Sequence, residues 1–528
     1  MFNFPKNLAP ARPPRVATRD VRGDGWHVQL DLTPQVLSLS IPEETTGNEH
    51  EEELAPTCQG LSHGFISASM LAVKAKLFDD GLYAGTELSA QPLKRKLLSP
   101  LVSVAPTMAA AARLGGIDAP FSAEAQRITQ AFLADELASK PLGFYTWSDA
   151  LAQIYQQDRL LQQPLDAAHA SALNVALDAE PTAKALYAAH LDFVARLTNP
   201  WASGMRDLRE PGGRCFFPPS RSHESDLVER LYADRPIPDA FSLADEMIKG
   251  IRAGSLRLDP TDSSGWYDWQ TWALEPLVVP DRTPEGTRLR MNEAYREQLT
   301  ELFKAILSLT RETHVKQLYN PFPGASLPPR DPRTVVRVSP ELTVEPVRTY
   351  YERRALGYQF VRSVLPSLGP LHLMRRLTPE GAAEARPLDE ELDEMVTLFE
   401  GAAAVAGHEL GIEAATEPQA SRFREWATTP DMADDVRMMA PVFFDVGRRQ
   451  TKVWAILGWA TRLLHVSFAT EPTAHVLKGD VDLRFDPTIR WIAYPVFAEA
   501  YVTTVLNRAE FRAHCDRYKT RTRILEQL

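Results

Sequence analysis

The stretch of sequence that decides the fold is residues 65–78, FISASMLAVKAKLF. Its apolar residues recur at spacings of three and four, which is the period of an α-helix with one buried face. The same spacing recurs in four later segments, residues 122–138, 148–162, 167–179 and 183–197. This periodicity predicts a mainly α-helical body that spans residues 61–435. Proline-rich loops separate its helices.

The periodicity changes near residue 436. Residues 436–446 (VRMMAPVFFDV) and 451–459 (TKVWAILGW) have the composition of strands. The short connection between them contains Gly447, and a short, glycine-containing connection between two such runs is typical of a β-hairpin. The sequence therefore predicts that β-structure begins here.

Two more predicted strands, at residues 461–469 and 490–496, and a helix at 508–519 make residues 436–528 a β-containing C-terminal part that ends in a helix. Residues 1–60 look like an irregular N-terminal arm with one possible strand at 26–32, where apolar and polar residues alternate. The predicted fold class is therefore α+β, with a large mainly helical body and a smaller β-containing C-terminal part.

The net charge and the cysteine content of the chain exclude some classes of function. The chain has 58 Lys and Arg against 69 Asp and Glu, a formal net charge of −11, so general nucleic-acid binding is not expected. Cys58, Cys215 and Cys515 have neither the number nor the spacing of a disulfide framework or a metal site. The expected partner is an unknown protein or a small molecule.

The sequence has no apolar stretch of the length that membrane insertion needs, and no apolar export signal near its start. We therefore expect no membrane insertion. The expected location is cytoplasmic for the chain as written, or exported if a signal segment has been removed.

Residues 299–319 contain the candidate catalytic residues. Leu302, Phe303 and Ile306 share one face of a predicted helix, and the same face continues toward the C-terminus through Thr313, His314 and Gln317. Buried polar groups need partners, and several together often line a pocket. The hypothesis is a polar pocket with His314 as ligand or general base; the alternative is a hydrogen-bonded core histidine.

The candidate ligand-binding residues are four aromatic side chains that fall within seven positions of the sequence: Trp266, Tyr267, Trp269 and Trp272. Such a cluster can stack on a sugar ring or another planar ligand, or it can anchor a helix in the core. Farther along the chain, Arg348 could hold a carboxylate or phosphate, or pair with the acidic residues of 377–435.

No motif predicts a metal or a cofactor. The zinc-protease, P-loop, nucleophile-elbow and dinucleotide-binding patterns are missing from the sequence. Residues 222–226 (SHESD) contain possible metal ligands, but they fit a helix N-cap followed by acidic residues in the first turn better. We therefore expect no metal site.

Residues 140–151 (KPLGFYTWSDAL) resemble the K-P-R-G-H-Y-T pattern of a bacterial and archaeal family of unknown function, whose members are often exported. The matching residues are Lys140, Pro141, Gly143, Tyr145 and Thr146, whereas Leu142 and Phe144 replace the Arg and His of the pattern.

Two later segments extend this resemblance. Residues 311–317 (RETHVKQ) are similar to the family's R-H-D-T segment and the K-Q that follows it, and 344–346 (VEP) precede Tyr350 and Tyr351 in the same order. The resemblance covers about residues 140–360. It implies a helical body, but it implies no reaction or substrate.

Two functions remain from this reading. The first is a non-catalytic binding or scaffold protein that uses the aromatic segment and the acidic region 377–435 as contact surfaces. The alternative is a hydrolase with its pocket around Thr313, His314 and Gln317. The sequence leaves open whether the protein is an enzyme, because no catalytic motif distinguishes the two functions.

The position of Asp158 predicts a buried ion pair. In the helix predicted at 148–162, Leu151 and Ile154 define the apolar face, and Asp158 continues it. A buried carboxylate needs a cation or several donors. We expect the partner to come from another segment, because the adjacent Arg159 lies about 100° round the helix.

The hydrolase alternative makes a prediction about His314. The variant His314→Gln should keep its melting temperature but lose binding or turnover, because Gln keeps a polar group and cannot exchange a proton near neutral pH. Thermal denaturation of the purified variant tests this. A fall equivalent to about 1–3 kcal/mol would instead indicate a core hydrogen bond with an unmet partner.

Overall fold

In the computed structural model the described residues are 17–20, 27–31, 36–42, 52–58, 64–197, 206–219, 223–233, 235–238, 241–311, 335–412, 417–427, 434–476 and 482–528. Within them the α-helices are α1 (Ala68–Leu98), α2 (Pro106–Leu114), α3 (Ala123–Ala134), α4 (Glu136–Ser139), α5 (Asp149–Leu161), α6 (Ala167–Ala179), α7 (Pro181–Leu197), α8 (His223–Tyr232), α9 (Leu243–Ala253), α10 (Trp266–Val278), α11 (Glu293–Arg311), α12 (Arg348–Val364), α13 (Leu388–Glu409), α14 (Glu417–Trp426), α15 (Arg508–Tyr518) and α16 (Arg521–Glu526). The strands are β1 (Ala17–Asp20), β2 (His27–Asp31), β3 (Leu37–Ser40), β4 (Leu289–Met291), β5 (Val335–Val338), β6 (Met438–Asp445), β7 (Gln450–Phe468), β8 (Thr473–Val476), β9 (Asp482–Phe485) and β10 (Thr488–Val502).

The fold is α+β with a helical body and strands concentrated in the C-terminal half, as predicted. Its main sheet has the strand order β10-β7-β3-β4, and β6 also pairs with β7. Every pairing in it is antiparallel except the parallel pair β3–β4. Since β3 and β4 come from the N-terminal and middle parts of the chain, the sheet is tied into the helical body.

The predicted hairpin after residue 436 is confirmed. β6 and β7 pair antiparallel from Met438↔Ile456 to Asp445↔Gln450. β7 then continues without a break through both predicted strands, to Phe468. Gly458 lies inside it at φ 153°, and a Cβ there would approach the Ala55 carbonyl to 2.9 Å. The glycine lets residues around Ala55 bridge to Trp459.

Two large hydrophobic cores hold the described helices of the body together. The larger one gathers the apolar faces of α1 and α9 to α13, and it includes Leu39 and Val466 of the sheet. The smaller one gathers α2, α3, α5, α6 and α7 around residues such as Met108 and Leu173. Two helices, α1 and α7, contribute to both. The first turns of α1 pack in the larger core and Leu97 and Leu98 pack in the smaller one, whereas α7 begins in the smaller core and ends in the larger one.

The N-terminus of α1 is capped by residues that lie far away in the sequence. The Glu345 carboxylate accepts from the Ala68 N–H at 2.8 Å and from the Tyr295 hydroxyl at 3.1 Å. The Ser67 hydroxyl donates to the Ala493 carbonyl of β10 at 2.6 Å. Burial raises the pKa of Glu345, and its two donors partly offset that cost. The first turn of α1 thus connects the body to the sheet.

In the middle of α1, a buried carboxylate joins three helices. Asp79 accepts from the Tyr358 hydroxyl at 2.8 Å, from the Arg354 guanidinium at 3.2 Å and from the Gln270 amide at 2.9 Å. Burial raises the pKa of Asp79, and Arg354 opposes that shift. Because removing one member of a buried charge pair is strongly destabilising, this network fixes α10 and α12 against α1.

The expected partner of Asp158 is confirmed. Lys94 of α1, whose side chain is only 1% exposed, approaches Asp158 to 2.5 Å and Glu87 to 3.1 Å. Burial raises the pKa of Asp158 to about 6; Lys94 opposes this rise and Glu87 adds to it. The Tyr145 hydroxyl donates to Glu87 at 3.3 Å. Two carboxylates therefore pair with the buried ammonium group, and a tyrosine holds one of them.

Two glycines of α1 allow another segment to pack against its backbone. A Cβ on Gly81 would lie 2.3 Å from the Leu377 carbonyl oxygen, and a Cβ on Gly85 would lie 2.1 Å from the Arg375 carbonyl oxygen. The Leu377 N–H donates to the Gly81 carbonyl at 3.0 Å. Any larger residue at these two positions would push residues 375–377 away from the helix.

Among the residues that the structure describes, no helix is both long enough and apolar enough to cross a membrane.

We predict that Asp158→Ala lowers the free energy of unfolding by about 3 kcal/mol, because it leaves the buried Lys94 short of one carboxylate. Urea denaturation measures the change. Asp178→Ala is the matched control, since Asp178 forms an exposed ion pair with Lys184, and its effect should be much smaller. Equal effects of the two variants would contradict the buried ion pair.

Glu345→Gln should also destabilise the protein, by about 1–3 kcal/mol, because one carboxylate oxygen becomes an amide group that faces a donor. Chemical denaturation of this variant and of the exposed Glu341→Gln control tests the effect. If the two variants unfold at the same urea concentration, the carboxylate does not hold the start of α1.

Candidate functional site

The three candidate catalytic residues Thr313, His314 and Gln317 lie outside the described residues, which end at Arg311 in this part of the chain. The hydrolase alternative that depends on them therefore stays a prediction. The part of the predicted helix that is described has the expected buried face, since Leu302, Phe303 and Ile306 are all buried.

The four aromatic candidates occupy different environments on α10. Trp266 is fully buried, and its ring lies 4.8 Å from that of Tyr83. Trp269 stacks on Phe360 at 5.4 Å. Trp272 donates its indole N–H to Asp259 at 3.3 Å. Tyr267 is the one of the four that lines a cleft, so the structure does not gather these aromatic residues into one binding platform.

The candidate Arg348 and two neighbouring arginines of α12 each form an ion pair with a carboxylate outside residues 377–435. Arg348 is buried and lies 2.5 Å from Glu352, one turn later on the same helix. Arg353 pairs with Glu275 at 2.7 Å, and Arg354 joins Asp79. The alternative that Arg348 pairs with the acidic residues of 377–435 stays a prediction. Packing of α12 against α10 and α1 places Glu275 and Asp79 beside the two neighbouring arginines.

A polar cleft of about 450 Å³ lies between α8 and the loop that leads into α10. We call it the acidic cleft, and its charged lining residues are Asp226, Arg230, Asp259 and Asp268. The remaining polar lining comes from His223, Tyr267 and the hydroxyl side chains of residues 261–264. Three carboxylates thus face a single guanidinium group.

Inside the acidic cleft three possible ligand atoms converge. His223, Asp226 and Asp268 each offer one such atom, and these atoms all lie within 4.8 Å of one another. The distance from His223 Nδ1 to Asp268 Oδ1 is 3.7 Å. The His223 side chain is 1% exposed and that of Asp268 is 23% exposed, so the cluster has a buried imidazole and a solvent-facing side.

The second nitrogen of His223 is oriented by α10. His223 Nε2 lies 3.3 Å from the Thr271 hydroxyl oxygen, which itself donates to the Tyr267 carbonyl at 2.8 Å. Since the hydroxyl proton is directed at that carbonyl, the oxygen is available as an acceptor for His223 Nε2–H. In a neutral imidazole with this tautomer, Nδ1 presents a lone pair toward Asp268.

Asp268 is positioned by the start of α10. Its Oδ2 accepts from the Gly265 N–H at 3.0 Å, which completes half of a capping box and leaves Oδ1 facing His223. A Cβ on Gly265 would lie only 3.1 Å from the Arg196 carbonyl oxygen, so glycine permits the close approach of α7. One turn further, Gln270 connects α10 to Asp79.

A second depression, of about 680 Å³, follows another face of α8. Its wall mixes acidic residues such as Glu224 with apolar ones such as Val228 and Ile237. No described histidine faces it. The acidic cleft is the stronger candidate, because it combines concavity with convergent, buried polar groups.

Sequence reasoning found the parts of this site but not their combination. From the sequence, residues 222–226 are possible metal ligands, but a helix cap is preferred, because a serine followed by acidic residues fits the start of a helix. The structure begins α8 at His223 and brings Asp268 beside it, while Ser222 lies outside the described residues. No spacing in the sequence signals this approach of two segments.

Comparisons of the chain with protein-family models, with curated proteins and with solved structures found no match. The resemblance to the family with the K-P-R-G-H-Y-T pattern therefore stays a prediction. In the structure, Lys140 of that segment lies 3.5 Å from the centre of the Phe444 ring of β6. The segment thus packs between the helical body and the sheet.

Proposed function

We propose that this protein is a non-catalytic binding protein, that its ligand site is the acidic cleft, and that the ligand is a small cation. The observation that supports the proposal is the charge of the lining, in which Asp226, Asp259 and Asp268 face Arg230 alone. Clefts lined by one sign of charge focus the field and concentrate ligands of the opposite sign.

The hydrogen bonds around the cleft favour recognition of a ligand over a purely structural role. Arg230 donates to the Arg257 carbonyl, and Asp259 accepts from Trp272, so both side chains are held by neighbours on the cleft wall. The hydroxyls of Thr261 and Ser263 lie 3.0 Å apart on the same wall. A few polar groups held in place are what fixes the orientation of a small ligand.

A cation also fits the electrostatics of the whole chain. The net charge of −11 attracts cations at long range, and the partly exposed carboxylates of Asp226 and Asp268 remain accessible to them. Attraction of this kind weakens as salt shortens the screening length to about 3 Å at 1 M. Binding at the cleft should therefore be tighter at low ionic strength.

Thermal denaturation in the presence of small ligands tests the proposal. Putrescine, spermidine, Zn²⁺ and Mn²⁺ are the cationic probes, and phosphate and citrate are the anionic ones. At least one cation should raise the melting temperature in a saturable way, since a ligand at a hundredfold excess over its Kd contributes about 2.7 kcal/mol. Asp226→Asn and Asp259→Asn should reduce the effect, because each removes a charge from the lining.

Glu229→Gln is the matched control, because it removes one charge from a part of α8 that lines the other depression. It should respond to the cation like the unmodified protein. The proposal fails if only the anions stabilise the protein, if no probe does, or if Asp226→Asn responds as strongly as the control.

A further inference from the structure

We infer that His223, Asp226 and Asp268 bind a divalent transition-metal ion in the acidic cleft. The inference rests on the proposed function, because it names the cation that the cleft holds. It depends on three features that are independent of the overall charge of the lining: the spacing of the ligand atoms, the orientation of the imidazole, and the mixture of nitrogen and oxygen ligands.

The spacing of the three ligand atoms is close to that around one metal ion. They lie within 4.8 Å of one another, and ligands on opposite sides of a metal with bonds of about 2.0–2.2 Å are about 4.0–4.4 Å apart. Any pair at the upper end of the observed range must therefore move closer when an ion binds. Bonds of about 2.1 Å from His223 Nδ1 and Asp268 Oδ1, which are 3.7 Å apart, would meet at about 125°. An approach of about 0.3 Å would make that angle tetrahedral.

The imidazole is oriented as a ligand. A histidine that binds a metal through one nitrogen normally donates a hydrogen bond from the other, which fixes both the tautomer and the ring plane. In this site the Thr271 hydroxyl is the acceptor for Nε2–H, and Nδ1 lies 3.7 Å from the Asp268 carboxylate. An imidazole nitrogen and two carboxylates within 4.8 Å of one another form an electron-rich site that a cation stabilises.

Asp268 has comparable support. The Gly265 N–H holds Oδ2 at 3.0 Å, so Oδ1 is directed at the cluster without reorientation of the side chain. Asp226 lies in the first turn of α8 and is partly exposed, which leaves it free to rotate toward an ion. Hydrogen bonds therefore hold His223 and Asp268 in position before a metal binds, and Asp226 completes the site from the solvent side.

The ligand types select the class of metal. Mg²⁺ and Ca²⁺ prefer sites made entirely of oxygen ligands, whereas imidazole suits Zn²⁺, Fe²⁺ and other transition metals. One imidazole with two carboxylates therefore favours a first-row divalent ion over Mg²⁺. Three protein ligands also leave at least one coordination position, and the acidic cleft gives small molecules access to it.

Isothermal titration of the EDTA-dialysed full chain with Zn²⁺ or Mn²⁺ tests the inference, with Mg²⁺ for comparison. We expect one Zn²⁺ or Mn²⁺ ion per chain and much weaker binding of Mg²⁺. Asp226→Asn and Asp268→Asn should each weaken Zn²⁺ binding at least 100-fold. Thr271→Val, which removes only the acceptor for Nε2–H, should weaken it by about 10–100-fold.

His169→Gln is the matched control for His223→Gln. His169 forms an exposed pair with Asp166 at 2.5 Å, so it resembles the proposed ligands in chemistry but lies on α6. Its replacement should leave the affinity for Zn²⁺ unchanged. X-ray absorption of the Zn²⁺-loaded protein should show one imidazole, which His223→Gln removes. If the buried His223 variant does not fold, the partly exposed Asp226→Asn still decides the result.

The possible outcomes separate this inference from the proposed function. If putrescine or spermidine stabilises the protein and neither metal binds, the metal site is wrong and the cleft remains a cation site. Metal binding that His169→Gln abolishes and Asp226→Asn retains also overturns the inference. If no cation binds at all, both proposals fail. Stoichiometric Zn²⁺ or Mn²⁺ binding that depends on Asp226, Asp268 and Thr271 supports both.

Discussion

The buried polar groups of α1 constrain the whole fold, because each must find a partner inside the protein. The N–H at its first turn is satisfied by Glu345, the carboxylate in its middle by Arg354 and Tyr358, and the ammonium group of Lys94 near its end by Asp158. These partners come from two distant parts of the chain, α5 and residues 345–358 at the start of α12. A helix that ran through both hydrophobic cores without them would leave charges unpaired at high cost.

The acidic cleft follows from the same constraint. Asp79 holds Gln270 and thereby fixes α10 against α1. The next residue of α10, Thr271, orients His223, and the first turn of α10 carries Asp268. A side chain that is to bind a ligand needs a rigid support so that its geometry is set before binding. The buried network therefore positions the site, although none of its members lines the cleft.

Part of the fold was predictable from the sequence because it depends on local patterns. Strand-like composition located the hairpin of β6 and β7, and helical periodicity located α5, α6 and α7. The position of Asp158 on an apolar face predicted a cation from another segment, but not that the cation would be Lys94. For the site, the sequence supplied the residues of α8 and Tyr267, and it assigned no role to Thr271.

The sequence by itself determined which faces of the helices are buried, where strands replace helices, and which buried charge needs a partner. These properties depend on neighbours within about one helical turn or two strand positions, which a linear pattern records. Only the tertiary structure decided that β3 and β4 complete the main sheet, that Glu345 caps α1, and that Asp268 lies beside His223. Such pairings join segments far apart in the chain, and packing of the two cores, rather than residue spacing, brings them together.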